Sequence, residues 1–101
     1  MSHVAPVNPQ TAVPTLPFVA DVRIGKGRLR RSFWHVQPSG DFERDNATGV
    51  LFARCALAQM RADGMPWLLA WIVKDMPRSP EHQGLAVGFF SEIARVALNH
   101  S

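Results

Sequence analysis

Five basic residues crowd one short stretch, Arg23, Lys26, Arg28, Arg30 and Arg31, and two aromatic residues, Phe33 and Trp34, follow at once. Cations interleaved with rings suit phosphates and bases: the charges neutralise the backbone and the flat rings stack. Lys26 and Lys74 are the only lysines of the chain. The remaining cations are Arg, which grips carboxylates and phosphates through paired hydrogen bonds and stacks on aromatic faces. Basic residues on an exposed hairpin also serve as ordinary protection of a strand edge against aggregation, and Asp21 neutralises part of the cluster. One expected function is thus nucleic-acid binding by a hairpin over residues 23–31, with Lys26, Arg28, Arg30 and Arg31 on the phosphates.

A second constellation is Trp34, Trp67 and Trp71 with Arg23 and Arg30. Trp and Arg dominate the energetics of protein interfaces. If these five share one open face, that face is an aromatic surface larger than a monomer usually exposes. The principal expectation is therefore a non-enzymatic protein that acts through a protein–protein interface, with a symmetric homodimer as the simplest form.

A third set, His35, Asp41, Glu43 and Asp45, offers an imidazole and three carboxylates near the end of one strand. Acid–base chemistry of that kind would make the chain a small ribonuclease-like toxin. The competing reading is that acids in a polar loop before a helix cap it, and that a lone strand histidine is structural. No catalytic assignment is made. His3, His82 and His100 match no metal-ligand spacing, and a single cysteine, Cys55, does not complete one. Cys55 also excludes an internal disulfide; it falls in an apolar helical pattern and reads as a small core residue. Gly25-Lys26-Gly27 is too short for a phosphate-binding loop and precedes a strand rather than a helix. No metal or cofactor is expected.

The elements that must position these residues can be read from patterning. With 101 residues, 47% apolar and 19% charged, the chain suits one folded domain that buries roughly two-thirds of its unfolded surface. Residues 1–17 carry Pro6, Pro9, Pro14 and Pro17 among small and polar residues, so they read as a flexible tail; Pro14-Thr15-Leu16-Pro17 fits a proline-helix ligand spacing that is common by chance. Residues 18–101 form the domain. Phe18 to Ile24 and Leu29 to Val36 alternate as the strands of a hairpin turned by Gly25-Lys26-Gly27-Arg28. A register pairing Ile24 with Leu29 places Val19, Asp21, Arg23, Arg30, Ser32 and Trp34 on one face. After the polar loop 37–44, a helix begins at Asp45 or Asn46 and stops at Gly64. Its apolar stripe is Val50, Ala53, Leu57 and Met60, and its wet face is Ala47, Arg54 and Arg61.

Trp67-Leu68-Leu69-Ala70-Trp71-Ile72-Val73 is apolar throughout, bounded by Pro66 and Pro77, and predicts a buried third strand. Ser79-Pro80-Glu81 starts a last helix, to about Asn99, with Leu85, Phe89, Ile93, Val96 and Ala97 inward and Ser91, Glu92 and Arg95 outward. The predicted order is β-β-α-β-α: an α+β or α/β two-layer sandwich of a three-stranded sheet with two helices on one face. The tryptophans of the third strand would then join Trp34 on the open face of the sheet.

The start of the chain lacks the basic residues and apolar run of a signal peptide, and no run reaches membrane-spanning length. A cytoplasmic protein is expected, in no contact with a membrane. The size, the proline-rich start and the want of a catalytic signature suit small accessory or inhibitor proteins of bacterial mobile elements.

Overall fold

The computed structural model describes residues 16–99. These form a mixed α+β fold with a two-stranded antiparallel sheet and three helices. Strand β1, Ala20–Gly25, pairs with β2, Arg28–Ser32. Helices α1, Phe42–Asp63, α2, Leu68–Asp75, and α3, Gln83–Leu98, follow, α3 preceded by a single 3-10 turn at Pro80–His82. Most of the proline-rich segment, residues 1–15, lies outside the described residues. Leu16 is buried in the core, slightly ahead of the domain start read from composition.

The expected three-stranded sheet and its β-β-α-β-α order are not what forms. The run 67–73, read as the third strand, lies in α2 and the residue that caps it. A short apolar run is ambiguous between a buried strand and a buried helix. Leu68, Leu69 and Ala70 favour a helix, and so does a proline just ahead of it. Burial follows the helical period: Leu68 and Ile72, four apart, are fully buried, whereas Trp67, Ala70, Trp71 and Val73 are exposed. Each of the two buried side chains contributes about 1.5–3 kcal/mol relative to exposure.

The hairpin exists, with a register one residue from the expected one. Val22 pairs with Arg30, Arg23 with Leu29, and Gly25 with Arg28, so Ile24 is an extra residue in a bulge. Gly27 closes the turn at φ 69°, where a side chain would be strained. Paired residues share a face. Ala20, Val22, Arg30 and Ser32 therefore lie on one side, and Asp21, Arg23, Leu29 and Arg31 on the other. Arg23 and Arg30, expected together, are thereby separated.

Helix α1 begins earlier than Asp45. Asp41 is its N-cap, its carboxylate accepting the backbone N–H groups of Glu43 and Arg44 at 3.0 and 3.3 Å. Gly64 ends the helix in the left-handed conformation, as expected. The fully buried positions are Asp45, Gly49, Ala53 and Ala56, so the inner face is rotated from the stripe of larger residues; Val50, Leu57 and Met60 are only partly buried. Ala47, Arg54 and Arg61 are exposed as read.

Small residues dominate that face because α1 and α3 meet backbone to backbone. A Cβ on Gly88 would stand 2.0 Å from the Asn46 carbonyl oxygen, and one on Gly49 2.2 Å from that of Leu85. Around this crossing lies an aromatic core. Phe18, Trp34, Phe52 and Phe89 interlock, with Trp34 and Phe89 edge to face at 5.3 Å between centroids. Trp34 is thus core, 4% exposed, not an open-face anchor. Glu92, expected outward, is equally buried and takes Arg54 and Arg95 as partners.

A candidate basic and aromatic interface

The hairpin carries five cations and one anion; the rest of the chain carries six cations and seven anions. All of the net positive charge therefore resides on this one arm. Every hairpin residue from Arg23 to Arg30 is exposed, including Ile24 and Leu29. Arg31 lies 3.4 Å from the Asp21 carboxylate across the strand pair. Arg23, Lys26 and Arg28 form no ion pair among the described residues, and on α2 neither does Lys74.

Asp75, at the end of α2, fastens the arm to the body. Its side chain is only 10% exposed; it accepts the Phe33 backbone N–H at 2.9 Å and a guanidinium N–H of Arg30 at 3.2 Å. Phe33, just past β2, stands against Trp71 of α2 with centroids 5.0 Å apart and planes at 66°. The result is a groove of about 220 Å³ lined by Arg30, Arg31, Phe33, Trp71, Lys74 and Asp75. Trp71 remains 47% exposed, and Trp67, one helical turn back on the same side, 52%.

Of the residues expected on one open face, the fold brings together Arg30 and Trp71 and sets Trp67 beside them. Trp34 is inside the core, and Arg23 is on the other face of the hairpin. Of the expected phosphate-binding set, Arg30 and Arg31 line the groove, while Lys26 and Arg28 lie at or next to the turn. Phe33, read beside the basic cluster as a stacking ring, and Lys74, which neither set included, complete the groove.

The acid–base set is dispersed into structural tasks. Asp41 caps α1. Asp45 is buried and accepts the Ser39 backbone N–H, with oxygens at 3.0 and 3.3 Å, and hydrogen bonds from Ser39 hold its carboxyl below the usual range. His35 is exposed, and its backbone N–H donates to the Phe18 carbonyl at 2.7 Å. His82 is buried. Its Nδ1 lies 2.9 Å from the Ser79 hydroxyl and its Nε2 3.4 Å from the Val36 carbonyl. Cys55 is half-buried against the core. Among the described residues no group of three or more His, Cys, Asp or Glu side chains could hold a metal ion, and no helix is long and apolar enough to cross a membrane.

No protein-family model, no curated protein and no solved structure matches this chain.

Proposed function

We propose that this protein is a non-enzymatic binding protein whose basic hairpin docks on the phosphate backbone of a nucleic acid. The segregation of charge carries the reading: the whole positive excess sits on an exposed two-stranded arm, and three of its cations have no anion to answer among the described residues. An arm built only to protect a strand edge has no use for an extended charge field, whereas an arm that releases counterions from phosphates draws its affinity from it.

The test is fluorescence anisotropy of labelled oligonucleotides over a salt series. Arg23, Lys26, Arg28 and Lys74 together engage about four phosphates, which gives a slope of roughly −3 for log affinity against log salt on a single strand. The double variant Arg23→Glu, Arg28→Glu lowers affinity about a hundredfold at low salt and leaves the melting temperature unchanged, because neither side chain has an ion pair among the described residues to lose. A flat salt profile, or full binding by the double variant, refutes the assignment.

A second reading rests on Trp67 and Trp71, half-exposed on one side of α2. Two large aromatic residues held at one helical spacing could anchor a protein partner, with a second copy of this chain the simplest. Light scattering across a concentration series at low and high salt tests it. A salt-resistant dimer that Trp67→Ala dissociates supports this reading; a monomer at all concentrations removes the homodimer.

A further inference from the structure

The groove at the root of the arm has features that phosphate attraction alone does not require. Trp71 packs against Phe33 yet leaves about half its surface in solvent. Lys74 is on the same helix, one turn along the groove, with no ion pair among the described residues. Arg30 uses one terminal nitrogen on Asp75, and a guanidinium has five donors, so the others remain to face a phosphate. At about 220 Å³ the space is smaller than the roughly 300–1,000 Å³ of a whole small-molecule site. It suits one flat ring or one phosphate of an extended ligand.

From these four facts, and resting on the reading of the hairpin as a nucleic-acid arm, we infer that the groove is a base-stacking subsite and that the ligand is single-stranded. Trp71 lies under one unpaired base, and Lys74 and Arg30 take the adjoining phosphate. The requirement for a single strand follows from geometry. In a duplex each base face is covered by its neighbours and only edges are accessible, so the half-exposed Trp71 indole can stack on a base face only when the base is unpaired. Asp75 opposes phosphate by its charge, but that charge is committed to Arg30 and the Phe33 N–H, and it holds the guanidinium in place. Stacking of this kind tolerates any base, so the subsite adds affinity without demanding a sequence.

The native protein is titrated into four probes at about 50 mM salt: a labelled oligo-dT of roughly 12 nucleotides, its abasic twin with the same phosphates, a duplex of equal length, and polyglutamate. The expected result is oligo-dT bound about tenfold more tightly than the abasic strand, quenching of indole fluorescence by oligo-dT only, and weaker binding of the duplex and polyglutamate. Trp71→Leu removes the tenfold preference without changing abasic binding, and Trp71→Phe restores part of it. Equal affinity for oligo-dT and its abasic twin overturns the subsite while the phosphate-binding arm stands. Polyglutamate bound as tightly as oligo-dT overturns the nucleic acid in favour of an acidic protein. Failure of every probe to bind takes away both the arm and the subsite. The comparison of probes on the native chain decides the matter even if Trp71→Leu does not fold.

Discussion

The α1–α3 crossing and the hairpin use arginine in opposite ways. At the crossing, Glu92 is buried and accepts Arg95 through two hydrogen bonds, at 2.8 and 2.7 Å, and Arg54 through one at 3.0 Å. Two cations are consumed on one buried carboxylate: Arg54 reaches it from α1 and ties the two helices, and Arg95 pairs with it within α3. On the hairpin, Arg23 and Arg28 hold nothing together among the described residues, and the arm is attached to the body chiefly through Asp75. A two-stranded hairpin alone is marginally stable at best in water, so the arm depends on the body for its shape, while the body depends little on the arm. Charge turned inward serves stability, and charge left outward is free for a ligand. Substitutions in the two regions should therefore separate stability from binding.

The largest effect is expected where the helices touch. Gly88→Val puts a branched side chain where even a Cβ would stand 2.0 Å from the Asn46 carbonyl oxygen. A side chain cannot move a helix backbone cheaply, so the helices must separate and expose Phe89 and Leu85. The expected loss is about 3 kcal/mol or more in a denaturant melt. Gly27→Ala, in the hairpin turn, meets nothing within 4 Å and strains only the local backbone at φ 69°; it should cost about 1 kcal/mol. Equal losses at the two glycines would contradict the division into a stability region and a binding region.

How much of this was legible beforehand differs between the two regions for the same reason. The hairpin announces itself locally: alternation, a glycine turn and neighbouring basic residues lie within about a dozen positions, so its existence and its charge could be read. Its register could not, because the bulge at Ile24 is a choice made in the backbone. The body is specified by distant pairs. Glu92 reads as a surface acid until Arg54, 38 residues away, is seen to approach it. Gly84-Leu85-Ala86-Val87-Gly88 does carry small residues at the four-residue spacing that lets helices approach closely, a usable signal that a search for apolar stripes passes over. The run Trp67–Val73 misled because a residue apolar at every position does not show which period buries it. Trp34 was misplaced for a different reason: alternation over Leu29 to Val36 puts it on a sheet face, whereas β2 ends at Ser32 and Trp34 turns into the core. The groove was least legible of all: Asp75 joins Phe33 across 42 residues, and nothing near Phe33 in the chain points there.

A second prediction sharpens the contrast through pH. Hydrogen bonds from Arg95 and Arg54 lower the Glu92 carboxyl from its ordinary 4.5 to about 2. A carboxyl lowered by folding stabilises the protein fully above its unfolded value, and that stability is lost as pH falls through the folded value. The native chain should therefore lose stability between about pH 4.5 and 2, and Glu92→Gln should remove part of that slope while lowering stability at neutral pH. Melts across that window for both proteins provide the check. An unaltered acid slope would mean that Glu92 contributes little and that other carboxylates, Asp45 among them, set the acid limb.

The smallest effect is expected at the joint itself, where the two regions meet. Asp75 has two tasks: it accepts the Phe33 N–H from a largely buried position, and it pairs with an Arg30 that is more than half exposed. Asp75→Asn keeps a carbonyl oxygen for the first and removes the charge from the second. An exposed ion pair contributes about 0–1 kcal/mol, so stability should fall by no more than about 1 kcal/mol. Binding should move the other way, since a negative charge leaves the floor of a groove that receives phosphate and one more guanidinium donor is freed; a rise of a few-fold at low salt, fading at high salt, is the expected outcome. Asp75→Ala separates the two tasks, because it also strands the Phe33 N–H and lets the root of the arm loosen. If Asn weakens binding as much as Ala does, the ion pair is needed to aim Arg30, and preorganisation outweighs repulsion. If Asn tightens binding and Ala weakens it, the backbone hydrogen bond positions the arm, and the Asp75 charge holds its affinity for phosphate below what the same geometry would otherwise allow.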